Sequence, residues 1–422
     1  MPHMNTRSRK GIVILVLIIA GETVFLLPFV VARIFRPTFL DVFELTNLQL
    51  GTAFALYGLV AMVSYLLGGP LADRYSGRRL MAAALIATSL GGLLFASVPS
   101  LQILTWLYAF WGLTTILLFW AALIRATREW GGIDQQGKAY GLLDGGRGLF
   151  AALVASFSVW IFSLLLPEQV LEATMAQRTA ALKQIILIYT FLVLVVSGLV
   201  WWFIPETNAT TVKSSPKVNF AGIKYLMTKP AIWLQAIIVV CAYAGYKTTD
   251  DFSLYARDAF GYNEVEAAKI GTISFWMRPL AAIAAGYLAD RFSASRLITI
   301  SFSLVLLGSL CLGTGMLKPN TYWFLLIAIS ATSAGIYAVR GVYFALYQEA
   351  RIPLAITGSA VGLVSLIGFT PDIFMGPLMG YLIDRSPGAV GHQQVFLVLA
   401  GLAVVGLAAV TAFRFSDSSK TH

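Results

Sequence analysis

Nine ionisable side chains interrupt otherwise apolar runs of this sequence: the cations Arg147, Lys247, Arg278 and Arg340, and the carboxylates Glu22, Asp144, Asp250, Asp251 and Asp372. A charge held in hydrocarbon costs several kcal/mol unless it is paired or faces water, so each is a candidate for binding or proton transfer. Spacing discounts some of them. Asp144 and Arg147 are three apart, and Lys247 precedes Asp250 by three and Asp251 by four, so both sets can neutralise on their own helix face. At about 1.5 Å per residue, Glu22 lies about 17 Å into its run, Arg147 about 12 Å and Arg278 about 15 Å, all near mid-membrane. Lys247, Asp250 and Asp372 fall nearer the outer face. Arg340 falls toward the cytoplasmic end, where snorkelling to the surface and contact with a solute are equal readings.

Arg278 stands apart, with no acid three or four residues away. Pro279 follows it and is expected to loosen the helix and free a carbonyl. Trp276, two residues before Arg278, and Tyr337, three before Arg340, are solute contacts in the functional reading and core filling in the other. A guanidinium is a planar fork that donates two hydrogen bonds to a carboxylate, phosphate or sulfonate, which makes Arg278, Arg147 and Arg340 the solute-binding candidates. Glu22 and Asp144 are the proton-coupling candidates. His3 and His422 are terminal and His392 falls in an outer loop, so a proton relay is expected to use carboxylates. No histidine metal centre and no Gly-x-x-x-x-Gly-Lys-Ser/Thr phosphate cradle can be assembled. Nor can a nucleophile, base and oxyanion donor. Neither a cofactor nor an enzyme is expected, and transport would run on a gradient.

Such charges must be positioned by membrane helices. The chain is 58% hydrophobic and only 12% charged over 422 residues, with a mean hydropathy of +0.78, a balance no water-soluble globule carries. A crossing needs roughly 20 apolar residues. Apolar runs occur at 11–33, 48–68, 80–98, 102–124, 139–166, 184–204, 231–252, 268–288, 297–316, 321–344, 354–382 and 394–414. The first is too long for a signal core and reads as a span. The sequence therefore predicts an all-α membrane protein of twelve transmembrane helices. Residues 1–204 form one six-helix bundle, 205–230 a linker with Lys213, Lys217, Lys224 and Lys229, and 231–422 a second bundle. Cys241 and Cys311 both fall inside spans, where core packing is expected and a disulfide is not.

The two halves repeat. Gly69-Pro-Leu-Ala-Asp73-Arg74 recurs as Gly286-Tyr-Leu-Ala-Asp290-Arg291, 217 residues on, and Gly141 and Gly145 map onto Gly358 and Gly362 at the same spacing. Small residues four apart mark close helix packing. The first phrase continues as Tyr75-Ser76-Gly77-Arg78-Arg79 and resembles the loop between helices 2 and 3 of the major facilitator superfamily of secondary transporters. That resemblance implies two pseudo-symmetric bundles, a central cavity and alternating access by rocking of the halves. It also implies that Asp73, Arg74, Arg78 and Arg79 latch helix ends and govern switching, with Asp290 and Arg291 as the second latch. The second copy departs from the pattern, because Ala294 stands where the first has Gly77. The stretch from Phe110 to Gly148 resembles the bacterial branch near sugar-phosphate and organic-anion permeases.

Basic loops stay cytoplasmic. With the N-terminus inside, 18 of the 30 Lys and Arg residues fall on the inner side, 8 on the outer side and 4 within spans. Both termini are then expected in the cytoplasm, the chain in the inner membrane, and the pI near 9.6 needs no nucleic-acid partner. The function expected is transport of a small organic anion by a monomer embedded in lipid. Five intramembrane acids against four bases keep open a proton-coupled carrier of a neutral or cationic solute. A non-transporting sensor on the same scaffold is the alternative of another class.

Overall fold

The computed structural model describes residues 6–132, 136–206, 220–317, 321–352 and 356–418. Eleven of its helices are long and apolar enough to cross a membrane. In chain order they are α1 Lys10–Ile34, α2 Asn47–Ala72, α3 Gly77–Ala96, α4 Leu101–Gly131, α5 Ala139–Leu165, α6 Met175–Phe203, α7 Pro230–Phe260, then, after α8, α9 Ala294–Gly313, α10 Tyr322–Glu349, α11 Ala360–Arg385 and α12 Ala389–Phe415. The helix α8, Glu264–Phe292, has 29 residues and the length to span, but it carries more charge, with Glu264, Glu266, Lys269, Arg278, Asp290 and Arg291. No strand occurs among the described residues.

Helices are the form an apolar chain must take in lipid, because each backbone N–H and C=O is then bonded within its own segment. Large apolar side chains accordingly face outward all along the spans: Leu66, Phe191, Trp202 and Ile283 are each about two-thirds exposed. The ends are set by local chemistry. Thr174 and Gln177 form a reciprocal capping box that starts α6, satisfying donors the first turn would leave open.

Residues 1–45, 52–215 and 263–275 form one compact unit, and residues 46–51, 216–262 and 276–422 the other. In the first unit α3 packs on α6, and α1 packs on α5 and α6. An aromatic cluster of Phe39, Phe43, Phe95, Tyr108 and Trp111 fills its interior. Arg178 pairs with Glu264 at 2.8 Å and lies 3.8 Å from Asp41. In the second unit α9 packs on α10 and α12, and α7 on α12, around Ile238, Val239, Phe302 and Ile336. There Asp384 accepts hydrogen bonds from the backbone N–H of Asn47 and Leu48.

Close helix approach does occur at glycine, but not where the repeat suggested. A Cβ at Gly141, Gly145 or Gly362 would meet nothing within 4 Å; the side-chain surroundings of Gly358 lie outside the described residues. One position over, a Cβ at Gly146 would lie 2.6 Å from the Ile18 side chain, so this is where α5 meets α1. A single residue turns a helix by about 100°, which is enough to move a glycine from the interface to an open face. Pro279 lies inside an unbroken α8. The expected loosening does not interrupt the helix there; instead α11 breaks between Gly368 and Pro371.

Candidate functional sites, one in each unit

In the first unit, two departures from α-helical winding flank one ion pair. Residues Leu26–Val30 of α1 and Leu113–Trp120 of α4 are wound as π-helix. Pro28 removes a backbone donor from the first, and in the second Thr115 donates its hydroxyl to the Trp111 carbonyl at 2.6 Å, competing with the helical ladder. Such segments often occur at functional sites, where they re-aim side chains. Here they deliver Phe25 and Trp120, whose rings lie 5.8 and 5.2 Å from the Arg147 guanidinium carbon. Glu22 of α1 sets Oε2 3.2 Å from Arg147 Nε. Asp144, the partner expected from spacing, is more distant at 3.9 Å and its side chain is mostly exposed. Glu22 and Arg147 are both buried. Gly21 makes room for the arginine, since a Cβ there would approach its Cδ to 3.0 Å.

The second unit contains a different arrangement. Tyr243, Tyr246 and Lys247 project from one face of α7, and Tyr337 and Arg340 from one face of α10. The Arg340 guanidinium carbon lies 3.9 Å from the Tyr246 ring centroid, 5.4 Å from Tyr243 and 6.0 Å from Tyr337. Among the described residues no carboxylate lies within ion-pair distance of Arg340. The nearby acid is engaged elsewhere: Asp372, in the first turn after the break in α11, accepts from the Tyr243 hydroxyl at 2.9 Å and lies 3.3 Å from Lys247 Nζ. Lys247 is 3.8 Å from Asp250. Three electron-rich ring faces thus hold a cation whose hydrogen-bond donors remain available.

Of the other residues singled out in the sequence, Arg278 is partly buried in α8, and its positive charge is felt at Arg340. Trp276, on the same helix, is 37% exposed, while Tyr337 is buried within the ring cage. Arg78 and Arg79 both pair with Glu206, just past the end of α6. Arg78 also lies over Trp201, and Arg74 over Tyr75. The side chains of Asp73 and Asp290 lie outside the described residues. Arg291 is exposed, over Tyr287. In this second loop Ser293 takes a φ of +87°, a left-handed conformation unfavourable to a residue with a Cβ.

Sequence reasoning missed Tyr243, Tyr246 and His392. The tyrosines had a usable signal, since Tyr243-x-x-Tyr246-Lys247 presents three polar groups on one face of an apolar helix. From sequence, His392 reads as an outer-loop residue. The helix α12 starts three residues earlier, at Ala389, and His392 is fully buried. Asp251, expected beside Lys247, contacts His392 instead.

The sequence profile of the Major Facilitator Superfamily matches residues 12–371. The chain is 28% identical over 384 residues to the inner membrane protein YqcE of Escherichia coli (strain K12), covering 89% of this chain and 88% of that protein. It is 26% identical over 390 residues to the probable nitrate/nitrite antiporter NarK1 of Thermus thermophilus, covering 86% and 82%. Among solved structures, a bacterial homologue of the human lysosomal transporter Spinster superposes with a TM-score of 0.74 at 15% identity, covering 98% of this chain and 99% of that one. That likeness concerns the fold alone.

Proposed function

Because this chain belongs to the Major Facilitator Superfamily and is therefore a transporter rather than an enzyme, we propose that its solute is a small organic anion, moved across the cytoplasmic membrane by alternating access. The observation that carries this reading is Arg340, a tyrosine-ringed guanidinium with no carboxylate at ion-pair distance among the described residues. A guanidinium held this way is partly accessible, and its N–H donors can be turned to an anionic ligand. Arg278, whose charge adds to the positive potential at Arg340, is assigned to the same anion, with Tyr337 and Trp276 beside it. Anions are also named for one relative, the nitrate/nitrite antiporter.

Arg147 takes a supporting role in this reading, because Glu22 already balances its charge. Glu22 and Asp144 remain its proton-coupling candidates. The loop cations Arg74, Arg78, Arg79 and Arg291 act in switching, together with Asp73 and Asp290. Residues 1–204 and 231–422 are the two transport halves joined by the 205–230 linker. The basic bias of the loops sets both termini in the cytoplasm, and the protein works as a monomer in lipid.

A thermal-shift screen of the purified protein tests the solute class. The panel comprises mono- and dicarboxylates, sugar acids and phosphate esters, each beside its uncharged amide or alcohol counterpart. Stabilisation by acids and not by their neutral counterparts is expected. Stabilisation by neutral or cationic solutes alone would replace the anion reading with that of a neutral or cationic cargo.

A further inference from the structure

His392 stands in the first turn of α12, with both ring nitrogens against carboxylates. Nδ1 is 2.7 Å from Asp251 Oδ2, and Nε2 is 3.2 Å from Asp258 Oδ2. Both acids come from the end of α7, seven residues apart and so on one face. Arg257 Nε donates to Asp258 Oδ1 at 2.8 Å. The rings of Tyr255 and Phe396 pack against each other over the site, with Tyr255 5.5 Å from the imidazole.

An ionised carboxylate only accepts hydrogen bonds, and a neutral imidazole has a single N–H. With a neutral ring, one of the two contacts would set a nitrogen lone pair against a carboxylate oxygen in a buried site. With an imidazolium both contacts are donor to acceptor. The charges then balance, two positive from Arg257 and His392 against two negative from Asp251 and Asp258. Losing the proton would bury one uncompensated negative charge. Oδ1 of Asp251 is buried with no hydrogen-bond partner among the described residues, so the contact with His392 is the hydrogen bond that carboxylate makes among them.

We propose that His392, Asp251 and Asp258 form a proton-binding site, with the proton carried on the imidazole. Asp258 is its partly exposed member, with 22% of its side chain accessible against none for the other two, and is the entry point for the proton. The remaining titratable or charged groups on the packed elements are engaged or neutral. Tyr255 donates its hydroxyl to the Leu312 carbonyl, and Cys311 on α9 is a thiol. On α11, Asp384 binds Asn47 and Leu48, and Arg385 donates to the Tyr381 hydroxyl. On α7, Lys247 and Asp250 face each other.

The site is physically continuous with the anion site. Asp251 adjoins Asp250, which faces Lys247, which faces Asp372, which holds Tyr243 against Arg340. Coupling of proton to solute along this chain rests on the anion reading. The proton site itself does not.

The test reads the imidazole directly. Replacing the two terminal histidines (His3→Gln, His422→Gln) leaves His392 as the sole histidine. Nitrogen-15 spectra of histidine-labelled protein in lipid nanodiscs are recorded at pH 7.5. Both ring nitrogens should carry protons there, where a free imidazole, with a pKa of about 6.5, is mostly neutral. A single N–H would overturn the proposal. Asp251→Asn should lose the second N–H at the same pH, and its retention would overturn the role given to Asp251. Should that variant fail to fold, the parent spectrum still decides whether the proton is there. The spectrum needs no solute, so an anion screen that fails leaves this result standing, and the reverse also holds.

Discussion

Arg147 and Arg340 are both cations within the membrane-spanning helices of this chain, and they differ in what surrounds them. Arg147 has Glu22 at 3.2 Å and is wedged between Phe25 and Trp120. Arg340 has rings on its faces and, among the described residues, no acid at ion-pair distance. The repeat makes the contrast sharper. At the 217-residue spacing that relates the two Asp-Arg loops, Leu123 occupies the position of Arg340 in the first half, and Val364 the position of Arg147 in the second. Both are fully buried core residues. The two halves therefore share the Asp-Arg loops, while each carries a charge where the other has a buried apolar residue. A buried charge paired with an acid on another helix is the arrangement expected of a brace, whereas a cation with no acid beside it among the described residues is the one expected to take a ligand.

If that contrast holds, the two halves respond to mutation in different ways. The largest effect on stability is expected at the compensated pair. Arg147→Leu strands Glu22 and should destabilise the protein by about 3–5 kcal/mol, the usual cost of breaking a buried pair from one side. Melting temperature is the readout, and the added substitution Glu22→Gln should recover much of the loss. Recovery that fails would mean Arg147 is needed for its packing or for a ligand, which would blur the distinction from Arg340.

A smaller effect is expected at the glycine where α5 meets α1. Gly146→Ala places a methyl group against Ile18 and should cost about 1–3 kcal/mol, as overpacking does. The smallest belongs to Gly141→Ala, five residues earlier than that contact and open on its Cβ side; its stability should stay within about 0.5 kcal/mol of the parent's. Equal penalties at the two glycines would show that the α1–α5 approach is not as described.

Much of this was legible in the sequence. Charge within apolar runs marked Glu22, Arg147, Arg278 and Arg340, because lipid makes every such residue an exception. Local spacing put Tyr337 and Arg340 on one face correctly. For Arg147 it gave Asp144, which does lie at 3.9 Å, but not Glu22 at 3.2 Å, since the closer acid comes from another helix and no i, i+3 rule reports contacts across helices. It failed at Gly141 and Gly145, where a one-residue difference in register separates a packed face from an open one. His392 was lost to a boundary: Ala389-Val-Gly-His reads as a polar loop, and only the burial of its first turn against α7 reveals the histidine. The tyrosine cage needed both α7 and α10 in place before its spacing meant anything.

If the solute is an anion, Arg340 is the residue whose loss must weaken its binding. The measurement is the affinity of the best anion from the thermal-shift screen, taken by isothermal titration on the parent protein and on Arg340→Gln and Arg340→Lys, with melting temperatures recorded alongside. Arg340→Gln should weaken binding by about 100-fold, close to the 1.5–3 kcal/mol of a hydrogen bond to a charged group. Arg340→Lys keeps the charge without the planar fork and should fall between the two. Melting temperatures of the ligand-free proteins should change little. Unchanged affinity in Arg340→Gln, with a large fall in melting temperature, would make Arg340 a brace like Arg147 and contradict the assignment.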